Sequence, residues 1–345
     1  MTLLGSEVAL AAYFDLALVD LDGVAYRGPD PIEYAADSLR LARESGMSLV
    51  FVTNNASREP EAVAEHLHAV GIPASAGEVM TAAQAAGALL QQHVPAGSSV
   101  LVVGGDGLLT AVRAGGYVIV DSADAEPVAV VQGYAADVGW RQLAEAAYAI
   151  QRGALHIASN RDMTLPTERG YAPGNGALVG AVVAATGVEP LSAGKPQPAM
   201  FRIAVERAGA RRPLVVGDRL DTDLAGACAA GYPGLHVFTG VDGPRAAILA
   251  AAEERPSFLA ADLRGLLAAH PAPERDGGWW VSGSERARVA GGRLELSSDV
   301  PEPVALDLVR VACAAAWEAA DEGNPVDGDT VPDLAVRADA VASRQ

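Results

Sequence analysis

The chain has 345 residues, half of them hydrophobic and 20% charged, with a formal net charge of −18. That length exceeds the roughly 100–200 residues of one domain, and the apolar content argues against extensive disorder. The acidic balance excludes nucleic acid and anionic membrane surfaces as partners, because both need a basic footprint.

In chain order, no Lys or Arg precedes the first apolar stretch, and Glu7 and Asp15 interrupt it. No secretory signal is expected there, and the expected localisation is cytoplasmic. Short β-branched runs then alternate with Ala-rich helical patterns, the rhythm of βαβ units. Strands are predicted at 16–20 and 48–53, with helices over 35–45 and 60–70. A second series follows, with strands at 99–103, 117–120, 127–132 and 155–158 and helices over 108–114 and 140–152. The apolar stretch 176–188 is interrupted by Gly and Thr and falls short of the roughly 20 residues that span a bilayer, so no membrane insertion is expected. Helices over 198–208 and 220–230 and strands at 214–217 and 235–239 complete the first series. Beyond the linker Pro271-Ala272-Pro273 come strands at 277–281 and 293–296, a helix over 304–322 and an acidic, weakly structured end at 324–345.

The expected fold class is therefore α/β. A Rossmann-like parallel sheet core is formed by residues 1–80 and 187–270, an inserted α/β cap domain by 81–186, and a small α+β C-terminal extension by 273–345. The two cysteines, Cys228 and Cys313, lie far apart in the chain, which favours a reducing compartment over a disulfide framework.

Chemistry concentrates at the ends of the core strands, where open parallel sheets bind ligands. Asp20 and Asp22 follow the buried run Leu16-Ala17-Leu18-Val19. Two carboxylates on one short turn repel unless a divalent ion lies between them. Asp20 is placed to attack phosphorus, giving an aspartyl-phosphate, and Asp22 to alternate as acid and base. Thr53, in Thr53-Asn54-Asn55, offers a hydroxyl and turn amides to phosphoryl oxygens, and Lys195 adds positive charge. Asp218, with Asp221 and Asp223 following, supplies hard oxygen ligands suited to Mg²⁺. Asp221 by itself reads as a turn residue.

These residues resemble, in order, the four motifs of the haloacid dehalogenase superfamily of phosphatases: Asp20-Leu-Asp22-Gly-Val, Thr53-Asn-Asn, Gly194-Lys195-Pro196 and Gly217-Asp218-Arg219-Leu-Asp221-Thr-Asp223. Asn160-Arg161-Asp162 and Pro173-Gly174-Asn175-Gly176 resemble the cap signature of its branch with a large α/β cap, which includes p-nitrophenyl phosphatases and phosphoglycolate phosphatases. The resemblance covers residues 16 to about 270 and leaves the C-terminal extension unexplained. It implies that Asp20 is nucleophile and metal ligand, that Asp22 is acid/base and gives its carbonyl to the metal, and that Asp218 is the remaining protein ligand. Asp223 would stand one layer behind. Mg²⁺ is the implied cofactor, with Mn²⁺ or Co²⁺ as substitutes.

Substrate choice is expected to belong to the cap, with Asn54, Asn55, Arg161, Asn175 and Lys195 as substrate-binding residues and Arg169 and Tyr171 as further candidates. This polar, Gly/Pro-punctuated segment suits a small hydroxylated phosphate; glycerol 3-phosphate is expected first and phosphoglycolate next. Within the family, the acidic, Ala-rich chain with its extra C-terminal unit resembles the actinobacterial glycerol-3-phosphate phosphatases. The expected partner is a small phosphorylated metabolite, and a homodimer is an expectation for the C-terminal extension. A phosphotransferase or mutase, or a phosphometabolite sensor without turnover, are the rival readings.

Other patterns read as structural. Gly104-Gly105-Asp106-Gly107 suggests a dinucleotide loop, but Thr110 stands where its third glycine belongs, so no nicotinamide cofactor is expected. The six histidines show no zinc spacing. Trp279, Trp280 and Trp317 read as core aromatics of the extension, and Arg288-Val-Ala-Gly291-Gly292 as a hairpin rather than an acetyltransferase-like turn.

Overall fold

The computed structural model describes residues 2–167, 169–297 and 303–337. It forms two compact units, one made of Met1–Phe51, Ala69–Ile72 and Val205–Gln345, the other of Val52–His68 and Pro73–Ala204.

In the first unit, parallel strands lie in the order Phe258–Ala260, Gly234–Val237, Pro213–Gly217, Leu16–Val19 and Ser48–Thr53, the last of which belongs to this unit as far as Phe51. Leu16 pairs with Pro213 on one side and with Ser48 on the other, so these strands start level. The run Leu16–Val19 is buried at all four positions, which is why it reads as continuously apolar instead of alternating. Because the strands are parallel, their carboxyl ends face the same way, and Asp20 and Asp218 each follow directly on one.

The C-terminal residues belong to this unit too. Four antiparallel strands, Glu274–Asp276, Trp279–Ser282, Glu285–Ala290 and Arg293–Leu296, form a meander. The helix Leu306–Asp321 packs against it and shares one apolar cluster with Leu3, Ala247, Ile248 and Leu259. Trp317 is 2% exposed at the centre of that cluster, and its indole donates to Ala247 O at 3.0 Å. Trp280 packs partly buried against the same cluster, whereas Trp279 stands under the Arg286 and Arg288 guanidinium groups. Of the weakly structured end expected from the sequence, residues 338–345 lie outside the described residues; before them a short 3₁₀ turn, Gly328–Thr330, and a bridge between Val304 and Val336 occur.

The second unit has its own parallel sheet, ordered Leu191–Ser192, Leu155–Ala158, Ala129–Gln132, Ser99–Val103 and Val118–Val120. Helices Ala82–His93, Asp106–Ala114, Trp140–Gln151 and Asn175–Thr186 accompany it. The first starts on a capping box in which Thr81 and Gln84 each bond the other's backbone amide. Gly104-Gly105-Asp106-Gly107 forms the strand-to-helix turn that joins Ser99–Val103 to Asp106–Ala114. Among the described residues no helix is long and apolar enough to cross a membrane.

Candidate active site

The carboxylates of the first unit gather at the ends of its sheet. Asp20 extends the first strand by one residue, its amide donating to Val216 O at 2.9 Å. The chain then turns back: Gly23 N donates to Tyr26 O at 2.8 Å and Ala25 N to Leu21 O at 2.8 Å. Gly23 takes φ +85°, a left-handed conformation open to glycine, and a β-carbon there would strike the Asp218 carboxylate. Thr239 Oγ donates to Gly23 O at 2.6 Å and fastens this turn to the loop after Gly234–Val237.

Asp218 is wholly buried, and its Oδ2 accepts from Val241 N at 2.7 Å. The helix expected over 220–230 opens instead with a wide π turn, Leu220–Leu224, before the α-helical Ala225–Ala230. Arg219 O receives both the Asp223 and Leu224 amides, which swings Asp223 inward against Gly217. Asp223 is 1% exposed and accepts from Arg219 N at 3.3 Å. The Arg219 guanidinium is paired in two-pronged fashion with Asp221, at 3.0 and 2.8 Å, which leaves Asp221 outside the cluster as a turn residue.

Asp20, Asp218 and Asp223 each present a carboxylate oxygen within 4.8 Å of the others. Octahedral Mg²⁺ holds oxygens at about 2.1 Å, so its ligands are separated by at most about 4.2 Å; oxygens spread over up to 4.8 Å would draw together by about half an ångström to hold it, and their hardness suits such an ion. Asp223, which the family resemblance sets one layer behind the metal ligands, shares this group of carboxylates with Asp20 and Asp218. Asp22 is exposed, beyond the partly buried Asp20. Near the cluster, Asp242 accepts from Leu220 N at 2.7 Å through its carboxylate and meets His236 Nε2 at 2.9 Å through its carbonyl. Burial holds the His236 pKa below its ordinary value.

The remaining expected residues form a network in the second unit. Thr53 is 7% exposed and its hydroxyl accepts from Asn55 N at 3.1 Å. Asn55 Oδ1 accepts from the Ser57 amide and hydroxyl, both at 2.8 Å, so this side chain shapes its own turn. Lys195 is 5% exposed, with Nζ 3.5 Å from Val52 O and its amide donating to Asn54 Oδ1 at 2.8 Å. Gly194 is required beside it, since a β-carbon would come within 2.7 Å of Asn54 Oδ1 and Ser159 O. Asn175, 2% exposed, donates to Asn160 O at 2.7 Å, and Asn160 donates to Asn54 O at 2.8 Å. Arg161 lies on the surface in an ion pair with Glu189 at 2.9 Å, and Tyr171 is 82% exposed on the hairpin of Thr164–Thr167 and Gly170–Pro173.

Sequence reasoning assigned no role to Gly240, Asp242 or Asp162. Gly240 and Asp242 sit at loop positions without any motif spacing; Asp162 stood inside a quoted signature, and its contact with Asn54, 108 residues earlier, appears only in the fold.

The chain matches the haloacid dehalogenase-like hydrolase family model over residues 17–118 and a HAD-hydrolase-like model over residues 192–266. It is 43% identical over 323 residues to the D-glycerol 3-phosphate phosphatase of Mycobacterium tuberculosis, covering 90% of this chain and 88% of that protein. It is 38% identical over 226 residues to the acid sugar phosphatase of Staphylococcus saprophyticus, covering 65% of this chain and 86% of the other. The magnesium complex of the glycerol phosphate phosphatase from M. tuberculosis superposes with a TM-score of 0.83 at 42% identity, covering 90% of this chain and 92% of that one. A thermostable NPPase from Geobacillus stearothermophilus superposes at 0.65 with 31% identity, covering 72% of this chain and 96% of its own.

Proposed function

Because the chain belongs to the haloacid dehalogenase-like hydrolase family, we propose that it is a Mg²⁺-dependent phosphomonoesterase acting on a small hydroxylated phosphate, glycerol 3-phosphate first. The observation that carries this reading is the convergence of Asp20, Asp218 and Asp223, two of them buried, on one point at the ends of parallel strands. Similarity to a D-glycerol 3-phosphate phosphatase along 90% of the chain, C-terminal residues included, supports the substrate.

In this reading Asp20, Asp218 and Asp223 hold Mg²⁺, with Asp22 contributing its backbone carbonyl. The bound ion neutralises charge between nucleophile and phosphate. The Asp20 carboxylate attacks phosphorus while Asp22 protonates the leaving alkoxide; Asp22 then takes a proton from the water that hydrolyses the aspartyl-phosphate. Thr53 and Lys195 bind the phosphoryl oxygens, and Lys195 supplies the fixed positive charge that an acidic chain otherwise lacks for an anionic substrate. Residues 81–186 act as the cap, with Arg161 on its surface as a contact for the alcohol and Asn175 holding the segment that carries it.

Phosphate release from a panel of small phosphomonoesters, with Mg²⁺ or EDTA, for the native chain beside Asp20→Asn tests the reading. Metal-dependent release led by glycerol 3-phosphate and abolished by the substitution is expected. Ligand binding without release would overturn it in favour of a sensor, and faster transfer to an added alcohol than to water would replace it with a phosphotransferase.

A further inference from the structure

The network around Lys195 contains a carboxylate with no part in the reaction just described, Asp162. Asn54 Nδ2 donates to Asp162 Oδ1 at 3.1 Å and Oδ2 at 3.2 Å, and to Lys195 O at 3.1 Å. Asn54 Oδ1 in turn accepts from Lys195 N at 2.8 Å. An amide nitrogen carries two hydrogens, so one shared between the carboxylate oxygens and one on the Lys195 carbonyl use both. The Asn54 carboxamide therefore grips the amide and carbonyl of Lys195 together, as a neighbouring strand would.

A carboxamide can be turned over; the amide and carbonyl of Lys195 select the orientation this one takes, and Asp162 reinforces it. In the reversed orientation Asn54 would set its oxygen against the Asp162 carboxylate and its NH₂ against the Lys195 amide, and both contacts repel. Asp162 is itself fixed on the chain around it. Its amide donates to Asn160 Oδ1 at 3.2 Å, and its carbonyl accepts from Gly176 N at 2.8 Å. The turn beyond Asn54 is seated from another direction. A β-carbon at Gly107 would come within 2.7 Å of Arg58 O, and Thr110 Oγ donates to Glu59 Oε1 at 2.7 Å. Gly107 thus serves as the seat of this turn, which gives the glycine at this position a packing role.

The geometry points to Asp162 as a positioning residue for phosphoryl transfer: acting through Asn54, it sets the place of Lys195 without touching substrate itself. The inference rests on the phosphatase reading and moves Asn54 from contacting the substrate to holding the lysine. Its effect falls on the phosphoryl end of the reaction, so every phosphomonoester should feel it alike, unlike a cap residue that meets the alcohol.

The test uses the full chain with Mg²⁺ and compares Asp162→Ala, Asn54→Asp and the double variant Asn54→Asp/Asp162→Asn. The readouts are kcat and KM on p-nitrophenyl phosphate and glycerol 3-phosphate, the inhibition constant of inorganic phosphate, and the melting temperature. Asp162→Ala is expected to lose about 10²-fold in kcat/KM on both substrates, the cost of a catalytic group displaced by about 1 Å, and to bind inorganic phosphate more weakly. Asn54→Asp sets two carboxylates face to face and should lose as much. The double variant exchanges amide and carboxylate and should recover about tenfold of that loss, a coupling that independent sites do not show. Losses that simply multiply in the double variant, a defect confined to glycerol 3-phosphate, or an Asp162→Ala enzyme as active as the native one would each overturn the inference. A native chain inert on every phosphomonoester would overturn the phosphatase reading beneath it.

Discussion

Gly240 lies so close to Asp218 that a β-carbon at position 240 would overlap the carboxylate. Val241, next in the chain, donates its amide to Asp218 Oδ2 at 2.7 Å, so this loop both aims and crowds the buried acid. Gly240→Ala is therefore expected to push Asp218 out of the cluster with Asp20 and Asp223. Mg²⁺ affinity and phosphate release should fall together, by about 10²-fold for a displacement near 1 Å. Gly180, on the helix Asn175–Thr186, has open space around it, and Gly180→Ala should leave both quantities unchanged. Calorimetric Mg²⁺ titration beside a phosphate-release assay decides the point; a Gly240→Ala enzyme with native metal affinity would refute this account of the loop.

The carboxylate cluster also leads to the expectation that stability depends on the cation. Three like charges with oxygens inside 4.8 Å, two of them buried, repel in the folded chain and separate in the unfolded one. A cation that binds the folded chain alone adds about 2.7 kcal/mol at a hundred times its dissociation constant. Mg²⁺ should raise the melting temperature and EDTA reverse the rise. Asp223→Asn keeps an acceptor for Arg219 N but removes a charge, and its response to Mg²⁺ should shrink. Superimposable melts with Mg²⁺ and EDTA would count against these three residues as the metal centre.

The parallel core was legible because its strands are buried on both faces: Leu16–Val19 and Pro213–Gly217 are buried throughout and read as unbroken apolar runs. The candidate carboxylates were legible because they directly follow such runs. The π turn at Leu220–Leu224 was not, since its apolar pattern is compatible with an ordinary helix; the turn widens where Arg219 O takes two amides and Asp223 packs against Gly217. The four-strand meander was half legible: Glu285–Ala290 alternates charged and small residues and carries no apolar run to mark it. Asn54 and Asp162 met only in the fold, because a contact across 108 residues leaves no local period.

The C-terminal helix is tied to the core sheet by polar as well as apolar contacts. Arg255, 2% exposed, donates to both Asp321 oxygens at 2.7 and 2.9 Å, and its guanidinium stands 5.5 Å from the centre of the Trp317 ring. Trp317→Ala removes the largest side chain of that cluster and takes the indole donor from the Ala247 carbonyl, which keeps the Ala250 amide at 3.3 Å. A cost of about 3–5 kcal/mol is expected, as for other large-to-small core changes. Because the helix covers Ala247, Ile248 and Leu259, ending the chain after His270 should expose apolar surface and yield aggregated protein. Urea denaturation measures the first effect and light scattering the second; a soluble, fully stable truncation would show that the core does not depend on its C-terminal cover.

Three buried histidines, His270, His156 and the His236 described above, are expected to weaken the fold as the pH falls. His270 is 3% exposed, with Nε2 2.8 Å from Gly265 O and Nδ1 3.5 Å from Arg310 Nη2. With the Nε2 proton on Gly265, the Nδ1 lone pair faces the guanidinium, and a second proton there would set cation against cation. Burial foremost, and Arg310 with it, pushes the pKa of His270 down to about 4 against the opposing pull of the Gly265 carbonyl. His156, 1% exposed beside Gln132 Oε1 at 3.1 Å, is likewise brought to about 4, chiefly by burial. The unfolded histidines titrate near 6.5, so between about pH 6.5 and pH 4 the unfolded chain binds protons that the folded chain refuses. The stabilisation is complete above about pH 6.5 and is lost as pH falls toward 4, on the order of 3 kcal/mol for each of His270 and His156. Urea midpoints should therefore drop across this window. His270→Gln, which retains a donor for Gly265 and cannot take up a proton, should flatten the drop relative to the native chain; an equally steep fall in the variant would assign the acid sensitivity to other groups.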